Sequence, residues 1–253
     1  MDKKKRLLIS FSSCVALVLI WEIVSVALNS SVILPSPIEV ASSVLQLFAS
    51  PAFLKNVGAT VLRAVLSFVI IVVSGSVMGT AAGLFPALDA VLSPFITLLK
   101  ATPVMSVILL AFIWFSTGTV PVFAAFLMAF PVMYVQVLNG TQRLDGKLLQ
   151  MCRVYGFSGK KYLLNFVIPS LVPSYVTGAK QSLSMIWKVV IAAEVLTVPQ
   201  SGIGRSLQLS QVRLDTASVF AWTVIAVVLT FAGDFLFSLL IRRKLSGRYC
   251  VEA

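Results

Sequence analysis

At 253 residues, 58% hydrophobic and 11% charged, with a mean hydropathy of +0.99, the chain is far too apolar for a water-soluble domain. The net charge of +11 would suit a nucleic-acid partner in a soluble protein. Here the basic residues flank or separate apolar runs instead of forming one stripe, so they read as determinants of membrane topology and no nucleic-acid partner is expected.

The N-terminus, MDKKKR followed by an apolar stretch, begins like a signal peptide, but the stretch continues past Trp21 to about Leu28. A bilayer core of roughly 30 Å needs about 20 apolar residues, so a retained first helix is expected, not a cleaved leader. Asn29–Pro37 then breaks the chain, and Ile38–Phe48 is expected to form a short helix at the surface. Further apolar segments run 58–84, 93–115, 119–138, 172–196 and 218–241, giving six expected spans. The second carries Gly75, Gly79 and Gly83 at four-residue intervals, a small-residue ridge suited to close approach of another helix. Lys100 and Pro103 stand near a cytoplasmic helix start in the third, and Ser116–Pro121 forms a tight external turn before the fourth. Basic clusters at Lys3–Arg6, between Arg143 and Lys161, and at Arg242–Lys244 all fall on one side, which the positive-inside rule makes cytoplasmic. Both termini are then expected in the cytoplasm.

The longest hydrophilic stretch, Asn139–Asn165, precedes the fifth span and reads as helix, glycine turn, helix. Leu144, Leu148, Leu149, Cys152 and Tyr155 recur near one helical face with basic residues elsewhere, which suits a partner's groove. A solvated basic loop is the other reading of the same periodicity. Within the fifth span Lys180, Ser184 and Lys188 follow i, i+4, i+8, and Glu194 returns to within about 40° of Lys180 at 100° per residue. That polar side either lines a pathway, through Ser184, Lys188 and Glu194, or serves snorkelling and helix pairing. Arg63 and Asp234 are expected to be structural. Cys14, Cys152 and Cys250 are far apart and histidine is absent, so a disulfide framework and a zinc site lack their ligands; no metal is expected. Gly156-Phe-Ser-Gly159-Lys160-Lys161 fails the phosphate-loop pattern in spacing and in its last residue, so no catalytic residues are assigned. A stand-alone secondary transporter or channel is the alternative on hydropathy alone.

The loop resembles the signature of type I ATP-binding-cassette (ABC) importer permeases: Glu-Ala-Ala, three residues, Gly, nine residues, Ile-any-Leu-Pro. Here Gln150-Met151-Cys152 is followed by three residues, Gly156, nine residues, and Phe166-Val167-Ile168-Pro169. The spacing is kept, but Gln150 lacks the family's acidic group. The resemblance extends, over residues 34–245, to the branch serving nitrate, sulfonate, taurine and thiamine-precursor uptake. Its marks include Leu34-Pro35-Ser36-Pro37, Trp114-Phe115, Thr177-Gly178-Ala179-Lys180, Ala193-Glu194 and Ser201-Gly202-Ile203-Gly204.

The resemblance implies an all-α, polytopic fold with six transmembrane helices and a cytoplasmic coupling helix. Residues 1–54 would form the N-terminal helix and external segment, 55–245 the permease core with coupling loop 143–165, and 246–253 a cytoplasmic tail. It implies a permease subunit in a bacterial inner membrane, forming the path for a small organic anion or vitamin precursor. Gln150, Met151, Cys152, Tyr155, Gly156, Phe157 and Pro169 would couple it to a cytoplasmic ATPase dimer. No cofactor would be bound by this chain; ATP and Mg would sit on the ATPase. The remaining implied partners are a second copy or a related permease, an extracytoplasmic substrate-binding protein and the lipid membrane.

Overall fold

The computed structural model describes residues 3–144 and 159–245, and every regular element among them is helical. The order is α1 (Lys3–Leu28), α2 (Pro37–Ala49), α3 (Ala52–Leu84), α4 (Pro86–Ala101), α5 (Val104–Trp114) and α6 (Val120–Gln142). After the undescribed 145–158 come α7 (Gly159–Tyr162), a π-helical turn (Leu163–Val167), α8 (Ile168–Thr197), α9 (Ile203–Val212) and α10 (Thr216–Leu245). By length and composition, α3, α6 and the Thr216–Arg243 part of α10 can each cross a membrane. Apolar side chains such as Val69, Val73, Val77, Phe231 and Leu236 stand exposed along two of them, which places lipid, not water, around the molecule.

Helices α3, α6 and α8 form the centre. Ile71, Met133, Val137, Ile186 and Val190 meet there with no exposed surface. The glycine ridge of α3 is what allows this contact: a methyl group at Gly75 would lie 2.6 Å from Met133 Cγ, and one at Gly79 would lie 2.8 Å from the Tyr134 carbonyl oxygen. At Gly83 it would collide with Thr141. Backbones this close gain dispersion contacts that lipid cannot supply.

The expected third span is not one helix. Its two parts, α4 and α5, meet at 102°. Pro103 has no N–H to continue the helix, and its ring forces Thr102 out of the helical region, to φ −75° and ψ 129°. Lys100 lies in the last turn of α4 and Pro103 precedes α5, so Pro103 does mark a helix start, but of an 11-residue helix.

Pro169 sits at the beginning of α8, as expected of a residue suited to a first helical turn. The helical path nonetheless continues upstream through the π turn, where the Ile168 N–H bonds to the Leu163 carbonyl. Widening the backbone there accommodates a proline that cannot donate to Asn165, one turn back.

The surface helix α2 starts with a capping box: Ser36 Oγ accepts the Glu39 N–H at 3.2 Å, and Glu39 Oε2 accepts the Ser36 N–H at 3.0 Å. Trp21 Nε1–H donates to the Pro35 carbonyl at 3.0 Å and Ser25 Oγ to the Leu34 carbonyl at 2.9 Å, fastening the intervening segment to α1.

Candidate functional site

Two polar groupings stand out within the helical body. The first is a buried charge knot at the ends of α3 and α8. Glu194 is completely enclosed, and Arg63 Nη1 donates to its Oε1 at 2.5 Å. Glu194 Oε2 also accepts from Thr60 Oγ1 at 2.8 Å and from the Gly204 N–H at 3.0 Å. The guanidinium reaches two more carbonyls, Ser201 at 2.8 Å through Nη1 and Gly118 at 3.1 Å through Nε. The same pair of charges therefore ties together α3, α8, the loop leading to α9 and the turn between α5 and α6.

Side chains of α3 complete the knot. Thr60 Oγ1 accepts the Ile203 N–H at 2.9 Å, and Asn56 Oδ1 accepts the Gly202 N–H at 3.2 Å while its Nδ2 donates to Ser206 Oγ at 3.0 Å. Gly202 has φ +155°, and a methyl group on it would lie 2.6 Å from Glu194 Oε2. A methyl on Gly204 would strike the Ile191 carbonyl. The Ser201-Gly202-Ile203-Gly204 sequence is thus the backbone complement of one carboxylate.

Glu194 accordingly departs from the polar side it was expected to share with Lys188. The angular argument is correct for the helix, but α3 and α9 close over that end of α8. Asn56, Thr60, Arg63 and Ser67 are themselves spaced along one face of α3, a polar stripe at i, i+4, i+7 and i+11 that is legible in the sequence.

The second grouping lies between α8 and α10. Ser184 and Lys188 of α8 open onto a cavity of about 450 Å³ that Thr223, Thr230, Phe231 and Asp234 of α10 also line. Ser184 Oγ donates to Asp234 Oδ2 at a long 3.4 Å, and Asp234 Oδ1 is buried without a hydrogen-bond partner. Asp234, read from sequence as structural, thus shares a cavity with the residues read as pathway-lining. Lys180, exposed two turns before Lys188, is outside the set that lines it.

Of the expected coupling residues, Pro169 is the one described, in the first turn of α8. Gln150, Met151, Cys152, Tyr155, Gly156 and Phe157 lie outside the described residues. Near the head of α8, Tyr175 OH and Thr80 Oγ1 are hydrogen-bonded at 2.8 Å, joining α8 to α3. Among the described residues no group of three or more His, Cys, Asp or Glu side chains is arranged to hold a metal.

Comparison with known proteins adds the evolutionary context. The family model described as binding-protein-dependent transport system inner membrane component matches residues 71–246. A putative aliphatic sulfonates transport permease of Bacillus subtilis is 26% identical over 238 residues, 93% of this chain and 86% of that protein. The taurine transport system permease of Escherichia coli is 25% identical, over 83% of this chain and 78% of its own. The nitrate import permease of Synechococcus elongatus is 25% identical, over 73% and 70%.

Proposed function

The chain belongs to the family of binding-protein-dependent transport system inner membrane components and is the permease subunit of an ABC importer, and from that premise we propose how it is coupled and what it carries. It is a multi-pass membrane protein that works with a substrate-binding protein and with a separate ATPase, which hydrolyses the ATP. The finer reading is that residues 143–165 form the coupling loop, with Gln150, Met151, Cys152, Tyr155, Gly156 and Phe157 seated in a cleft of a cytoplasmic ATPase dimer that holds ATP and Mg. A second copy of this chain, or a related permease, completes the pathway. Both termini are cytoplasmic.

The observation that carries this reading is the loop's position inside the matched region, with Gly156 and Pro169 at the family's spacing. Mechanically, a rigid helix transmits force, the glycine turns the chain sharply, and Pro169 sits where the next span begins. The described end of that lever enters α8, which packs against α3 and α6, so a displacement of the loop would be delivered to the centre of the bundle. Ser184 and Lys188 face the translocation pathway. The cargo is a small organic anion or a vitamin precursor, a class supported by the relatives that carry sulfonates, taurine and nitrate.

The test is co-purification. Wild-type protein in detergent should recover an ATPase from host extract, and Gly156→Asp should fold but lose it. A folded wild type that recovers no ATPase contradicts the coupling assignment. Equal recovery by Gly156→Asp places the docking surface elsewhere.

A further inference from the structure

We propose that the cavity between α8 and α10 receives a small zwitterion, its anionic group against Lys188 and its ammonium against Asp234 and Ser184. The proposal rests on the reading of Ser184 and Lys188 as pathway residues and narrows the cargo to solutes carrying both charges. Lys188 is exposed on the cavity wall, and the Arg63–Glu194 contact is the one salt bridge among the described residues, so no described carboxylate lies within 4 Å of the lysine. An ammonium within an apolar span is costly unless it faces protein, water or an anion.

Asp234 is equally under-used. Its Oδ2 has only the long bond from Ser184, and its Oδ1 has none. The nearby Trp187 Nε1–H, buried and also without a partner, lies 2.9 Å from where a methyl on Gly233 would be, yet makes no bond to the carboxylate. The hydroxyls of Thr223 and Thr230 donate to carbonyls of their own helix, at 2.8 and 2.9 Å, which leaves their lone pairs as acceptors. One wall therefore offers a cation, the other a carboxylate with additional acceptors.

The two charges decide the ligand class. A simple anion would gain Lys188 but sit beside the Asp234 carboxylate, and a simple amine would meet the reverse conflict. A short molecule with an ammonium and an anionic group at opposite ends satisfies both walls. Phe231, across the same space, supplies an apolar surface for the methylenes between them.

The experiment uses the permease–ATPase complex in nanodiscs, with radiolabelled 2-aminoethanesulfonate as probe and ethanesulfonate, identical but for the ammonium, as competitor. In the wild type ethanesulfonate should compete about tenfold less well or worse, the expected weight of one charge-assisted contact. Asp234→Asn should bring the two ligands level, and Lys188→Met should abolish binding of both, at unchanged recovery of assembled complex. Equal competition in the wild type, an undiminished preference in Asp234→Asn, or absence of binding overturns the proposal. So does a Lys188→Met, Asp234→Leu double variant that regains the uptake its single variants lose, because the two residues would then be serving each other. Labelling of Ser184→Cys by a charged, water-soluble thiol reagent reports on the pathway reading by itself. A labelled cysteine without ammonium preference removes the zwitterion alone; an unlabelled one removes the pathway reading as well.

Discussion

Arg63 and Glu194 keep opposite charges in a place where either would be intolerable alone. Glu194 has no exposed surface, and Arg63 is its only charged neighbour within salt-bridge distance among the described residues. Removing one partner of such a pair leaves a buried charge uncompensated, at about 3–5 kcal/mol, whereas removing both can be close to neutral. Arg63→Met should therefore lower the thermal unfolding temperature of the purified protein sharply. The Arg63→Met, Glu194→Leu double variant should recover part of that loss, although the Gly204 N–H and the Thr60 hydroxyl would still lack the carboxylate they donate to. Additive losses would show that the pair contributes through its separate hydrogen bonds and not as a pair. This knot was only half legible in the sequence: the polar stripe on α3 and the glycines near 202 are visible there, but the stripe reaches Glu194 across more than 130 residues.

At the scale of helices, the glycines of α3 make opposite demands according to what they face. Gly83 abuts Thr141, so Gly83→Val should overpack the α3–α6 contact and cost about 1–3 kcal/mol or more. Gly58, on the same helix, has nothing within 4 Å of an added methyl, so Gly58→Ala should stabilise by about 0.8–1 kcal/mol through helix propensity alone. Thermal unfolding of the two variants side by side checks both signs; a matching pair of losses would mean that the open space beside Gly58 is filled in the assembly. The ridge could be read from sequence because four-residue spacing is a local property of one helix. The break between α4 and α5 could not be read from hydropathy, since a sliding average runs straight across Thr102–Pro103 while the backbone turns there. The cavity beside Lys188 was half visible for a similar reason: Ser184 and Lys188 are neighbours on one helix, but Asp234 joins them only through the packing of α10.

For the whole molecule, orientation and coupling stand or fall together, because a coupling loop is useful only on the side where the ATPase is. The charge balance favours a cytoplasmic loop: if all six expected spans cross, the basic stretches at Lys3–Arg6, Arg143–Lys161 and Arg242–Lys244 fall on one side, while the short segments between spans on the other carry few cations. Arg205 and Arg213, in and after α9, oppose that bias. They are too few to reverse it, and the Arg63–Glu194 knot holds their segment against the external ends of α3 and α8 in this arrangement. Alkaline phosphatase fused after Leu214 should consequently be active, since the enzyme folds only outside the cytoplasm. Fusions to the N-terminus and after Leu245 should be inactive, and green fluorescent protein at the same places should give the opposite pattern. Activity of the phosphatase at both termini would invert the expected topology, and with it would place residues 143–165 beyond the reach of a cytoplasmic ATPase; activity at the N-terminus alone would mean that α1 does not cross. If instead both termini report the cytoplasm, α4 and α5 must together make a single bent crossing, and the loop at 143–165 is left facing the compartment where ATP is spent.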